Sequence, residues 1–149
     1  MSRIKSEEEL REIYGKPSGR AEMKVLSQLE KHSIHFLQES PFFILSTVNK
    51  EGMVDASPRG GSKGFVHVKS PTELLIPDAK GNNRLDSLVN IIETEKCGLL
   101  FMIPGIDETL RINGKAYISN DSAIGRRSID QFTIRNKKPR QKRWNYCDV

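Results

Sequence analysis

The chain has 149 residues, the size of one domain built on one hydrophobic core, and no stretch nears the 18 consecutive apolar residues that a membrane-spanning helix needs. An apolar fraction of 36% and a mean hydropathy of -0.52 are low for a compact monomer, so part of the chain is expected to be a tail or to bury itself against a partner. The net charge of +5 divides unevenly: residues 1–125 carry 16 Lys and Arg against 17 Asp and Glu, and residues 126–149 carry 8 against 2, which rules out a basic body that grips nucleic acid.

In chain order, Ser6 with Glu9 forms a capping box, Leu10, Ile13 and Tyr14 give an apolar edge, and Gly15 stops the helix. Met23, Val25, Leu26 and Leu29 have helical spacing; after a break near His32, Ile34, Phe36 and Leu37 predict a short turn ending at Pro41. The period then changes. Residues 41–49 (PFFILSTVN) and 53–57 read as two strands joined by a turn at Asn49 to Gly52, and residues 64–68 and 73–77 as two more. Residues 82–94 place Leu85, Leu88, Val89, Ile91 and Ile92 at helical spacing, and residues 98–103 and 109–118 add two strands around Pro104 to Asp107. Ile124, Ile129, Phe132 and Ile134 are compatible with one last helix. The predicted order is helices, four strands, one helix, two strands: a mainly β, antiparallel fold. The domain is predicted over residues 1–134, with 135–149 a basic, disordered tail.

Cys97 and Cys147 form no CxxC and have no histidine at metal spacing, and the N-terminus has no apolar leader-like run, so a reduced, cytoplasmic protein without membrane contact is expected. His32 and His35 have i, i+3 spacing but lack a third ligand, so no metal site is expected.

Chemistry concentrates in two segments. Residues 57–64 (SPRGGSKG) offer the Ser57 hydroxyl, the Arg59 fork, Lys63, and glycines, Gly60 first, whose N–H groups can approach an anion; a solvated hairpin loop is the plain alternative. Residues 76–87 run from a strand into a helix start, where free N–H groups and the dipole favour an anion, with Arg84 to pair with it and Asn82 or Asn83 to cap the helix or bond the ligand. A third piece puts Thr109, Arg111 and Asn113 on one strand face and Leu110 and Ile112 on the other.

The runs SPRGGSKGFVHV, LLIPDAKGNNRLDSLVNI and GLLFMIPGIDETLRINGKA resemble the pyridoxamine 5'-phosphate oxidase-like FMN-binding split-barrel proteins, in particular a PPOX-class branch, over residues 1–135. Residues 142–149 depart from the family pattern. The resemblance implies a six-stranded antiparallel Greek-key split β-barrel with flanking helices, forming a homodimer with FMN in the groove between subunits. It places Ser57, Arg59 and Gly60 on a strand facing the flavin, and Ile76, Pro77 and Asp78 along its ring or ribityl chain. Asn82, Asn83 and Arg84 would take the phosphate, and Thr109 and Arg111 would reach the ring edge from the second subunit. The implied activity is an FMN-dependent oxidoreductase acting on a nicotinamide or small-molecule substrate, with Arg59 and Arg111 as cations near the ring. The alternatives are a flavin or phospho-ligand binding protein without turnover and, ranked last, a nucleic-acid contact through the basic tail.

Overall fold

The computed structural model of the chain describes residues 3–16, 26–78 and 83–119, and the backbone of residues 131–135. The first helix, α1 (Glu7–Tyr14), forms as its caps dictate: the Ser6 side chain accepts from the Glu9 N–H at 3.2 Å, and Gly15, at φ 73°, closes the helix onto the Arg11 carbonyl. The box is not reciprocal, because the Glu9 carboxylate accepts from Lys5 N–H instead. Residues 26–30 are not helical, although Leu29 is buried as expected of a core residue; the rest of that predicted helix falls largely outside the described residues. Helix α2 (Lys31–Glu39) buries Ser33, Phe36 and Leu37, and Ser40 at its end donates to the Met102 carbonyl at 2.8 Å.

Seven strands follow: β1 (Phe42–Val48), β2 (Val54–Gly60), β3 (His67–Ser70), β4 (Glu73–Pro77), β5 (Lys96–Met102), β6 (Thr109–Ser119) and β7 (Gln131–Arg135), with α3 (Asp86–Thr94) between β4 and β5. They form one antiparallel sheet in the order β2-β1-β5-β6-β7-β4-β3. Strict alternation buries Phe43, Leu45 and Thr47 of β1, and Cys97, Leu99 and Phe101 of β5, on one face. Leu110 and Ala116 of β6, Leu74 and Ile76 of β4, and Leu88 and Ile91 of α3 complete the same core.

The connection between β2 and β3 sets the shape. These strands are the two edges of the sheet, yet only residues 61–66 separate them. Seven extended Cα steps reach about 25 Å at most, whereas a flat seven-stranded sheet holds its edges about 29 Å apart. The sheet must therefore curl until its edges approach, as in a barrel left open along one seam. An ion pair between Arg59 of β2 and Asp78 at the end of β4 reaches across that curl. In the turn after β2, Gly64 sits at φ +70° with space for a Cβ only 3.2 Å from the Gln38 carbonyl. Gly64→Ala is expected to lower the unfolding free energy by about 1–2 kcal/mol, measured by urea denaturation, because both the backbone conformation and the approach to α2 disfavour a side chain.

Three expectations are corrected. The sheet has seven strands rather than six, and among the described residues no pairing of β2 with β3 closes it into a barrel. Residues 131–135, assigned to a last helix, form β7 between β6 and β4; the sequence there alternates polar and apolar, a strand period masked by its basic surroundings. Helix α3 starts at Asp86 rather than at residue 82, because Asn83 and Leu85 adopt left-handed conformations at φ 63° and 60°. Arg135, assigned to the basic tail, is the last residue of β7, and residues 136–149 lie outside the described residues. Among the described residues no helix is long and apolar enough to cross a membrane, and no group of three metal-ligating side chains occurs.

Candidate functional site

Strand β2 is amphipathic in the wrong sense for an ordinary edge. Asp55, Ser57 and Arg59 pair in register with the inward-facing Thr47, Leu45 and Phe43 of β1, so the polar residues face the interior side. Val54, Ala56 and Pro58 face outward, and Val54 is 81% exposed. A strand that turns its polar face inward needs partners there, and α3 and the end of β4 supply them.

Helix α3 is fastened over β1 and β2 by polar ties. Ser87 Oγ donates to Asp55 Oδ2 at 2.5 Å, Asn90 Nδ2 to Thr47 Oγ1 at 3.0 Å in a buried contact, and Thr94 Oγ1 to the Val48 carbonyl at 2.9 Å. These ties fix where the helix start lies relative to β2. On the other side Arg59 Nη1 donates to Asp78 Oδ1 at 3.1 Å, with the two side chains 27% and 10% exposed. The Arg59 Nε atom is buried and has no hydrogen-bond partner. At the helix start, Arg84 Nε and Nη2 both lie 3.0 Å from Asp86 Oδ2.

Between these elements is a cleft of about 270 Å³, lined by β2 from Asp55 to Arg59, by Asp78, and by residues 83–88. Of the residues predicted from the sequence, it brings together Ser57, Arg59, Asp78, Asn83 and Arg84. Asn82 lies outside the described residues. Asn83 does not cap α3, whose N-cap is Leu85 without a side-chain hydrogen bond. Ile76 is fully buried in the core and does not line the cleft, nor does Pro77 at the exposed end of β4. Gly60 pairs with Phe42 at the end of β2, on the outward register, with space for a Cβ only 3.3 Å from the Pro41 carbonyl. Thr109 and Arg111 lie three strands from β2, and Arg111 is in register with Leu100, Ile44 and Pro58 on the outward face. One chain alone does not bring them to the cleft.

Asp55, Asp86 and Ser87 line the cleft as well; Asp86 and Ser87 belong to the segment 76–87 read as a helix start without a ligand role, and Asp55 was not singled out from the sequence. The alternation Val54-Asp55-Ala56-Ser57-Pro58-Arg59 was the available signal: polar residues every second position on a strand whose other positions are apolar. The resulting site holds two guanidinium groups among three carboxylates, with hydroxyls at Ser57 and Ser87. It can bind an anion through arginine forks and hydroxyl groups through Asp55 and Ser57.

A second cavity, of about 410 Å³ and more apolar, lies beside α2, lined by His32, His35 and Phe36 and by residues around Ile106. On its rim a hydrogen bond from Lys63 holds the Glu39 carboxyl below its ordinary range. Cys97, buried in the core, has its thiol pushed up to about 12 by desolvation, which makes it a packing residue rather than a nucleophile.

The pyridoxamine 5'-phosphate oxidase family pattern matches residues 29–143, and the chain belongs to that family. Solved structures agree in fold. A candidate pyridoxamine 5'-phosphate oxidase from Lactobacillus delbrueckii is 17% identical, with 76% of this chain and 95% of that one covered at a TM-score of 0.60. HupZ of Group A Streptococcus is 14% identical over 72% of this chain and 88% of its own, at 0.58. HutZ, the heme storage protein from Vibrio cholerae, is 13% identical over 80% and 95%, at 0.50. No curated protein matches the sequence significantly.

Proposed function

We propose that the cleft between β2 and α3 binds FMN through its phosphate ester and ribityl chain, and that the protein is an FMN-dependent oxidoreductase in a reducing cytoplasm. The observation that carries the reading is Arg59: a guanidinium held by Asp78 on one edge, with a buried, unpartnered Nε–H on another, beside a cleft whose far rim carries Arg84. An orphaned buried donor of this kind suits an anionic oxygen as its acceptor. Asp55, Ser57 and Ser87 suit a polyol between the phosphate and the ring. When bound, the flavin supplies the hydride or electron chemistry, and this chain's residues anchor and orient it.

The volume of the cleft supports a shared site. About 270 Å³ lies below the roughly 300–1,000 Å³ of cofactor-sized pockets, so the ring needs a wall beyond this one. In the reading proposed here a second copy covers the outward face of β1, β2 and β5, where Ile44 and Leu100 are only half-buried, and Thr109 and Arg111 approach the ring across that homodimer.

Heme is the competing ligand, because HutZ stores it. The described residues that line the cleft include no His, Cys, Met or Tyr to ligate heme iron, which favours the phosphate ester. The test is a fluorescence titration with FMN, riboflavin and hemin. FMN is expected to bind, riboflavin to bind more weakly, and Arg84→Ala to weaken FMN alone by about 10- to 100-fold, the worth of a charge-assisted hydrogen bond. Failure of FMN to bind, or indifference to Arg84→Ala, overturns the reading. Anaerobic bleaching of bound flavin by NADH or NADPH then distinguishes an oxidoreductase from a binding protein without turnover.

A further inference from the structure

We infer that Asp86 is an internal competitor for the phosphate in this cleft, setting how tightly and how selectively the site takes a phosphorylated ligand; the inference rests on the reading of the cleft as a phosphate-ester site. Arg84 recognises an anion best through the edge formed by Nε and one Nη, the edge that grips two oxygens or straddles one. In the structure that edge is taken: Nε and Nη2 both lie 3.0 Å from Asp86 Oδ2, two residues along the chain. Arg59 is held in the same manner by Asp78, but there Nη1 makes the bond and Nε is left without a partner. The two arginines of the cleft therefore differ. One keeps a buried donor without a partner; the other gives its best edge to a neighbouring carboxylate.

For a phosphate to take that edge of Arg84, the Asp86 carboxylate must give way. It cannot go far, because Asp86 is the first residue of α3 and Ser87 beside it is tied to Asp55. The displaced carboxylate stays near a dianionic ester and repels it. Arg84 and Asp86 are both more than half exposed, so the exchange occurs without unfolding the helix start and the repulsion is moderated by solvent. The site should then discriminate against weakly held anions, and admit a ligand whose remaining atoms find Arg59, Ser57 and Asp55.

The test compares wild type, Asp86→Asn, Asp86→Ser, Arg84→Ala and the Arg84→Ala/Asp86→Asn pair by titration with FMN, riboflavin and inorganic phosphate. Asn and Ser are short polar residues suited to the end of a helix, so each variant is expected to keep α3 in place; circular dichroism checks it. Asp86→Asn and Asp86→Ser are expected to bind FMN and phosphate about 3- to 10-fold more tightly, as loss of one screened like charge allows, with riboflavin unchanged. The gain must vanish on the Arg84→Ala background. Wild-type FMN binding with no gain from either Asp86 variant, or a gain that persists without Arg84, overturns the inference alone. Tighter phosphate binding by the variants with no FMN binding at all upholds it and overturns the FMN reading. Binding of neither anion by any of the proteins overturns both.

Discussion

Phe101→Ala is expected to lower the unfolding free energy by about 3–5 kcal/mol, the range for deleting a fully buried aromatic ring. Phe101 has no exposed surface and sits on β5, paired on both sides by β1 and β6. Its ring centroid lies 4.8 Å from that of Phe43, which in turn stacks on Phe65 at 5.7 Å. That row runs from the centre of the sheet to the turn after β2, so the cavity left by the deletion has rigid strands on two sides and collapses poorly. It also lies one strand from the site, since Phe43 is the register partner of Arg59. Urea denaturation checks the size of the effect. Phe101→Leu, which keeps most of the volume, is expected to lose far less, at about 1.5 kcal/mol or under. If Phe101→Ala costs no more than Phe101→Leu, the core relaxes around the loss and this account of its packing is wrong.

What was legible in the sequence was whatever depends on near neighbours. The Ser6 and Gly15 caps of α1, the β-branched and aromatic run of β1, and β4 over Glu73–Pro77 all follow from residues a few positions apart, and the structure has them there. Motif reading took consecutive residues as one wall, and the structure places them on different sides. Strand geometry sends neighbours to opposite sides: Ile76 is in the core while Pro77 is exposed, and Gly60 faces away from the side of Ser57 and Arg59. The partners that organise the cleft were out of reach for another reason. Arg59 meets Asp78 across 19 positions and Ser87 meets Asp55 across 32, and only the curl of the sheet and the docking of α3 bring them together. The start of α3 was misplaced because Asn83 and Leu85 enter the left-handed region, which a helical period does not reveal and which is uncommon for a leucine.

Arg59 is where fold and ligand compete for one side chain, and its replacement is expected to separate the two. Arg59→Ala should reduce FMN affinity about 100-fold, because it removes both the unpartnered Nε–H and the charge beside it. It should also destabilise the protein, because Asp78, with its side chain 10% exposed, loses a cation 3.1 Å away. Breaking a fully buried ion pair costs about 3–5 kcal/mol, and a partly exposed arginine beside an open cleft reduces that to about 1–3 kcal/mol. In the Arg59→Ala/Asp78→Ala pair the desolvated carboxylate is gone as well, so stability should recover in part while FMN affinity stays low. Arg59→Lys should restore stability more fully than affinity, since an ammonium replaces the charge but not the fork. Urea denaturation and FMN titration on the same four proteins make the comparison. If affinity rises and falls with stability across the set, Arg59 acts on the ligand only by holding the sheet together, and its assignment as a phosphate ligand fails.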